Sequence, residues 1–152
     1  MGENMRCDKC GGRMAESLDP IEVDFKGEHL TVLDVPHFLC ENCDDIAFNA
    51  EQLDAYSHAI DEAYRERMGL LSPSQIKSIR KSISCTQAQF ESLVGVSTPT
   101  VSRWETGASI QQKTADNLMR VIEKFPGIAD FLAERAEAYA PANRGARTSR
   151  NR

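Results

Sequence analysis

Four of the five cysteines stand in two Cys-x-x-Cys pairs, Cys7-Asp8-Lys9-Cys10 and Cys40-Glu41-Asn42-Cys43, with 29 residues between Cys10 and Cys40. A Cys-x-x-Cys turn points two sulfurs at a common centre. Two such turns supply four thiolates in a tetrahedron, the ligand set of a structural Zn2+ site, one ion per chain. The gap exceeds the about 15–20 residues of the usual template, but it is long enough for a hairpin that returns the second pair to the first. Gly11 and Gly12 follow the first pair, where a tight knuckle needs backbone freedom. Two other chemistries compete for these residues. A thioredoxin-like redox pair needs a βαβ context, which is absent, and structural disulfides are disfavoured in a cytosolic chain. Four thiolates close the coordination shell, so such a metal folds the protein and leaves no position for a reacting water.

His37, three residues before Cys40, is either a support or substitute ligand for the metal or an ordinary surface or strand histidine; His29 and His58 read the second way. Cys85 stands alone in a helical context and reads as a small packed residue. No Ser/His/Asp set or paired-carboxylate constellation stands out, so an enzyme is the weakest reading.

The elements that must carry the cysteines are short. Ile21, Val23 and Phe25 alternate with Glu22, Asp24 and Lys26, and a second β-rich run covers His29–Val35. The Gly27-Glu28 pair between them predicts a hairpin with a II′ turn. About 50 residues cannot bury a sufficient core, so the metal must act as the staple. Asn49 and Gln52 then mark a helix start. Leu53, Tyr56, Ile60, Ala63 and Tyr64 recur at helical spacing toward Gly69.

The second half reads as all-helical. Ser72-Pro73-Ser74-Gln75 opens a helix, with proline at its first position, in which Ile76, Ile79, Arg80 and Ile83 follow. Thr86 caps the next, which carries Ala88, Phe90 and Leu93 and ends at Gly95. Ser97 or Thr98 starts another, with Pro99 in its first turn and Val101 and Trp104 facing inward. Two short helices joined through Gly95-Val96-Ser97 are a helix-turn-helix, whose second helix lies in the DNA major groove. Further helices are legible at about 111–124 and 127–139. Pro141–Arg152 holds four arginines and no acid, which predicts disorder, with either some phosphate contact or a role only in keeping the chain soluble.

Composition supports two partners. Residues 1–68 carry 16 acidic and six basic residues, a net of −10, whereas 69–152 carry a net of +5, within a total of −5. An acidic half and a basic half suit two partners of different charge, or the charge merely solvates each half. No apolar run approaches the roughly 18 residues of a membrane span. The opening residues lack the apolar segment of a secretory signal, which makes the cytoplasm the expected location. The expected fold class is therefore α+β, a small zinc-stapled β-hairpin domain with a linking helix over 1–68, followed by a five-helix domain over 69–140 and a basic tail over 141–152.

The block Thr86-Gln87-x-x-Phe90, continuing through Gly95-Val96-Ser97-Thr98-Pro99-Thr100-Val101-Ser102-Arg103-Trp104-Glu105-Thr106-Gly107, resembles the Xre/Cro-like helix-turn-helix class over about residues 72–125. With the paired cysteines in front, the chain from about Arg6 to Arg135 is similar to the MqsA-type, YgiT-like zinc-binding antitoxin family. The resemblance implies a toxin ribonuclease as the partner of the N-terminal domain, and a C-terminal domain that dimerises, binds operator DNA and represses its own operon. By position it makes Cys7, Cys10, Cys40 and Cys43 the zinc ligands. It makes Arg103 the first candidate for base reading, with a phosphate clamp or a structural ion pair as the alternative. It puts Gln87 against a phosphate, with helix capping alone as the alternative, and Ser97, Thr98, Thr100 and Ser102 among the DNA-facing residues, with plain solvent exposure as the alternative for the last three. Glu105 should pair with Arg80, as recurs in the class. Pro99 departs from the class, which often has an amide side chain there, so the family's operator sequence does not carry over. The alternative function is a stand-alone zinc-finger and helix-turn-helix regulator with no toxin partner.

Overall fold

The computed structural model describes residues 5–138. The chain forms two compact units that divide between Ser72 and Pro73. Among the described residues the first holds five strands and one helix and the second five helices, so the fold is α+β. The basic tail, 141–152, and Tyr139 lie outside the described residues. Among the described residues no helix is long and apolar enough to cross a membrane.

In the first unit, β1 (Met14–Ser17) leaves the first cysteine pair and β4 (His37–Cys40) runs into the second. They pair antiparallel with Met14 opposite Cys40, and this register brings the two knuckles together. β5 (Ile46–Ala47) completes a three-stranded sheet of order β1-β4-β5. Cys7, Met14 and Cys40 are buried as a cluster, with Phe38, Cys43 and Ala47 packed against it. Between β1 and β4, β2 (Ile21–Phe25) and β3 (Glu28–Val32) form the expected hairpin.

Its turn differs from the expected II′ type. Phe25 pairs with Glu28, so the loop is Lys26-Gly27, and both residues have positive φ, 49° and 83°. Two left-handed residues define a I′ turn, whose twist matches the strands. Lysine is an unusual first residue for it. Its ammonium lies 5.4 Å from the ring centroids of both Phe25 and Tyr64, which offsets part of the backbone cost. The second strand also stops at Val32, short of Val35, because Asp34 turns the backbone into the left-handed region.

The helix α1 (Ala50–Met68) starts at the expected capping box, in which Asn49 accepts from the Gln52 N–H and Gln52 from the Asn49 N–H. It ends at Gly69. It packs on β3, and Arg67 bonds Glu28 at 3.1 Å. Tyr56 stacks on Phe48, whose ring lies 6.2 Å from His37. Leu53, expected on the inner face, is half exposed.

In the second unit, α2 (Pro73–Ser82), α3 (Gln87–Val94), α4 (Thr100–Thr106), α5 (Lys113–Lys124) and α6 (Gly127–Ala138) enclose a core of Ile76, Ile79, Phe90, Val101, Trp104, Met119 and Ile122. Thr86 and Gln89 form the expected capping box on α3, and Gly95 closes it in the left-handed conformation. Three expectations need correction. Ala88 is exposed. Cys85 sits in the turn between α2 and α3, not in a helix, because Ser84 at φ 55° has already broken α2. The helix α4 begins at Thr100, not at Ser97 or Thr98. A proline disfavours helical backbone in the residue before it, so Thr98 stays in the turn and Pro99 becomes the cap.

Candidate metal centre and nucleic-acid interface

The four sulfurs predicted as ligands converge. The ligand atoms of Cys7, Cys10, Cys40 and Cys43 all lie within 4.8 Å of one another, a set that could hold a metal ion. Two approaches join one knuckle to the other, Cys7 to Cys43 at 3.7 Å and Cys10 to Cys40 at 3.5 Å. Metal–sulfur bonds of about 2.3 Å at tetrahedral angles put neighbouring sulfurs about 3.8 Å apart. All four thiols are free, and a disulfide would need about 2.05 Å.

Each knuckle is built to receive a thiolate. The Gly12 N–H points at the Cys10 sulfur at 3.4 Å and the Asn42 N–H at the Cys40 sulfur at 3.5 Å. The Asn42 amide is the largest cause that lowers the Cys40 thiol to about 7. The Asp45 amide lowers Cys43 too, but hydrogen bonding to Cys10, burial and the other two thiols outweigh it and push Cys43 up to about 12. Four sulfurs this close cannot all ionise by themselves, whereas a divalent cation at their centre favours the thiolate on each. A Cβ at Gly12 would sit 2.7 Å from the side-chain amide of Asn42 on the other knuckle, so that side chain would have to shift to admit one. Outside the sulfurs, Asp45 lies 3.7 Å from Cys7 and Lys9 3.8 Å from Asp45.

His37 is not among the four. It is a strand histidine, as one reading had it, but it is 1% exposed rather than on the surface, and its Nδ1 lies 2.9 Å from the Val35 carbonyl. His29 is exposed between two carboxylates, with Asp24 at 2.8 Å from Nδ1 and Glu22 at 3.0 Å from Nε2. The hydrogen bond to Asp24, then its charge, raises the His29 pKa above the ordinary 6.5. Both nitrogens can donate only when the ring is protonated. The contribution of this cluster is therefore complete below 6.5 and lost as pH rises through the raised value. NMR titration should find His29 above 6.5, and Asp24→Asn should move it back; a wild-type value at or below 6.5 would refute the pairing.

In the second unit the expected pair between Arg80 and Glu105 is present. Arg80 donates Nε to Glu105 Oε1 at 2.6 Å and Nη2 to Oε2 at 3.0 Å, and a third donor, Nη1, reaches the Cys85 carbonyl at 2.8 Å. Burial alone would raise the Glu105 pKa, but the hydrogen bonds from Arg80 and Gln87 hold it below 4.5. The pair fixes α4 to α2.

Of the residues expected to face DNA, Arg103 is exposed in the last turn of α4. Val101 and Trp104 on the opposite side are buried. Ser97 and Thr98 are exposed in the turn, and Thr100 and Ser102 are half-buried. Gln87 is exposed at the first position of α3, and its amide donates to Glu105 at 2.9 Å, at the far end of α4 from Thr98. Sequence reasoning missed Glu91. Its carboxylate is 3% exposed and accepts from Thr98 and from the Val101 N–H. An acidic residue directly after Phe90, on the face between two core positions of α3, was the available signal.

These two sites define a class of chain, a four-thiol β unit followed by a helix-turn-helix unit. The family described as the antitoxin component of a bacterial toxin-antitoxin system, MqsA, matches residues 5–134. The chain belongs to that family and is an antitoxin; the family is one of antitoxins, not of enzymes. It is 26% identical to antitoxin MqsA of Escherichia coli (strain K12) over 131 residues, which cover 84% of this chain and 99% of that protein. It is also 30% identical to antitoxin HigA-2 of Vibrio cholerae serotype O1 over 64 residues, 42% of this chain and 62% of that protein.

Proposed function

We propose that this antitoxin neutralises a ribonuclease toxin through its N-terminal unit, held together by one Zn2+ on Cys7, Cys10, Cys40 and Cys43. In this reading it also represses its own operon as a homodimer that binds operator DNA. The observation that carries the proposal is the pairing, in one chain of this family, of four converging sulfurs with a helix-turn-helix. The donor chemistry supports zinc, because soft thiolates in a closed tetrahedron suit it and exclude the oxygen-preferring ions. The charge division supports the assignment of partners: the acidic half suits a basic toxin, and the basic half suits phosphate.

Arg103 is the residue assigned to base reading. A guanidinium can bond guanine O6 and N7 together, worth roughly 1–3 kcal/mol of discrimination. Thr100 and Ser102 precede it on the same helix, Ser97 lies in the turn before them, and Gln87 opens the first helix of the motif. Arg103→Ala should reduce operator preference by roughly 5- to 150-fold in competition binding, with binding to unrelated DNA retained. Uniform weakening on all sequences, with a shallower salt dependence, would make Arg103 a phosphate clamp instead. In the same experiment, footprinting of the homodimer should show two half-sites about 34–36 Å apart or a multiple of that. A single unpaired half-site would refute the dimer.

A further inference from the structure

The seven-residue helix α4 has no side-chain cap of its own. Its cap residue is Pro99, whose side chain accepts no hydrogen bond. The first N–H groups of a helix need partners from outside it. The Thr100 N–H finds the Ser97 carbonyl at 2.9 Å. The buried Val101 N–H finds Glu91 Oε1 at 3.0 Å, across the turn from α3. The other oxygen of that carboxylate, Oε2, accepts from the Thr98 hydroxyl at 2.7 Å. The Glu91 backbone is engaged as well. Its carbonyl accepts from the Gly95 N–H at 2.9 Å and the Val96 N–H at 3.0 Å. One residue thus closes the end of α3 with its main chain and the start of α4 with its side chain.

We infer that Glu91 is a positioning residue for sequence reading: it fixes the direction in which α4 leaves the turn, and so the orientation of Arg103, without touching DNA. The inference rests on the DNA-binding proposal above. A carboxylate that is 3% exposed must keep its donors, and the N–H of fully buried Val101 needs Glu91 as its acceptor. Any rotation of α4 about the turn separates Val101 or Thr98 from the carboxylate and leaves buried polar atoms unpaired. The two bonds therefore narrow the range of orientations α4 can take. Bidentate base contacts tolerate little angular error, so a narrower range means sharper discrimination. The same bond directs the Thr98 hydroxyl proton inward, so Thr98 supports the helix through Glu91 and does not donate to a base.

The test uses the full chain, with a duplex from the promoter region of its own gene and a scrambled duplex of the same length as probes. The readout is the ratio of the two affinities at fixed salt, with melting temperature measured alongside. Glu91→Ala should lower the ratio by about tenfold or more while binding to the scrambled duplex changes by less than about threefold. Glu91→Gln should restore most of the ratio, because its oxygen can accept from Val101 and its amide can donate to the Thr98 oxygen. Ile122→Val, a core change on α5, serves as the control for lost stability and should keep the ratio. If Glu91→Ala does not fold, Glu91→Asp carries the test: it keeps the charge but falls one methylene short, and its ratio should drop by about threefold or more. An unchanged ratio in the folded variant, or an equal loss in the Ile122→Val control, overturns the positioning role. A wild-type ratio near one overturns the DNA-reading proposal, and this inference with it.

Discussion

Cys40→Ser is expected to abolish metal binding and unfold the first unit while the helices of the second stay folded. The β strands are two to five residues long, in sheets of two and three strands, and the apolar cluster beside the sulfurs consists largely of the cysteines themselves. Sheets of this size are marginal without another source of stability. Metal binding in small thiolate sites supplies roughly 10–16 kcal/mol of folding free energy, more than the unit can replace by packing. Cys40 is fully buried at the end of β4, where the Asn42 amide supports its sulfur, so its loss removes a ligand from the inside of the site. The second unit has a core of its own around Phe90, Val101 and Met119. Trp104, the single tryptophan of the chain and 5% exposed, reports on that core alone. Elemental analysis should find about one zinc per wild-type chain and none in the variant. Amide NMR should show collapsed dispersion for residues 5–68, with Trp104 emission unchanged. A folded first unit without metal would contradict the stapling role.

Arg80→Ala should destabilise the second unit by about 3–5 kcal/mol, because it leaves the Glu105 carboxylate buried without its partner. The Arg80 and Glu105 side chains are 12% and 4% exposed, so water screens the pair little and cannot substitute for it. The variant also frees the Cys85 carbonyl that Arg80 holds. Gln87 keeps its bond to Glu105 but cannot neutralise it. The pH dependence has a definite sign. The Glu105 pKa is below its ordinary 4.5, so the stabilisation is complete above 4.5 and lost as pH falls through the lowered value. Urea unfolding followed through Trp104 should show the loss at neutral pH and a smaller difference between wild type and variant in acid. A loss under about 1 kcal/mol at neutral pH would mean that the pair is not what seats α4.

The parts of the fold that local chemistry dictates were legible from residue types. Asn49 with Gln52 and Thr86 with Gln89 carry both members of a capping box, and each opens a helix where the pattern placed it. The four cysteines identified themselves by spacing, since few other arrangements put two Cys-x-x-Cys turns to use. The Arg80 and Glu105 pair was legible only through the resemblance to a helix-turn-helix class, because the two stand 25 positions apart in sequence. What remained hidden depends on contacts between elements. The I′ turn at Lys26-Gly27 depends on the register of β2 and β3 and on the ring of Tyr64, which arrives from α1. Glu91 looks like a surface acid on its own helix, and only the packing of α4 across α3 buries it. The start of α4 was misplaced by two or three residues because Pro99 suits either the first turn or the cap, and the constraint it puts on Thr98 decides for the cap.

The central proposal is that this antitoxin holds a toxin ribonuclease with a metal-pinned unit. The most direct measurement is growth of cells induced for the toxin proposed as its partner, with wild-type chain or Cys40→Ser co-expressed and the soluble level of each confirmed by blotting. Wild type should restore growth and co-purify with the toxin, and Cys40→Ser at equal soluble level should do neither. Continued arrest with soluble wild-type chain present, or full rescue by Cys40→Ser, would contradict the account.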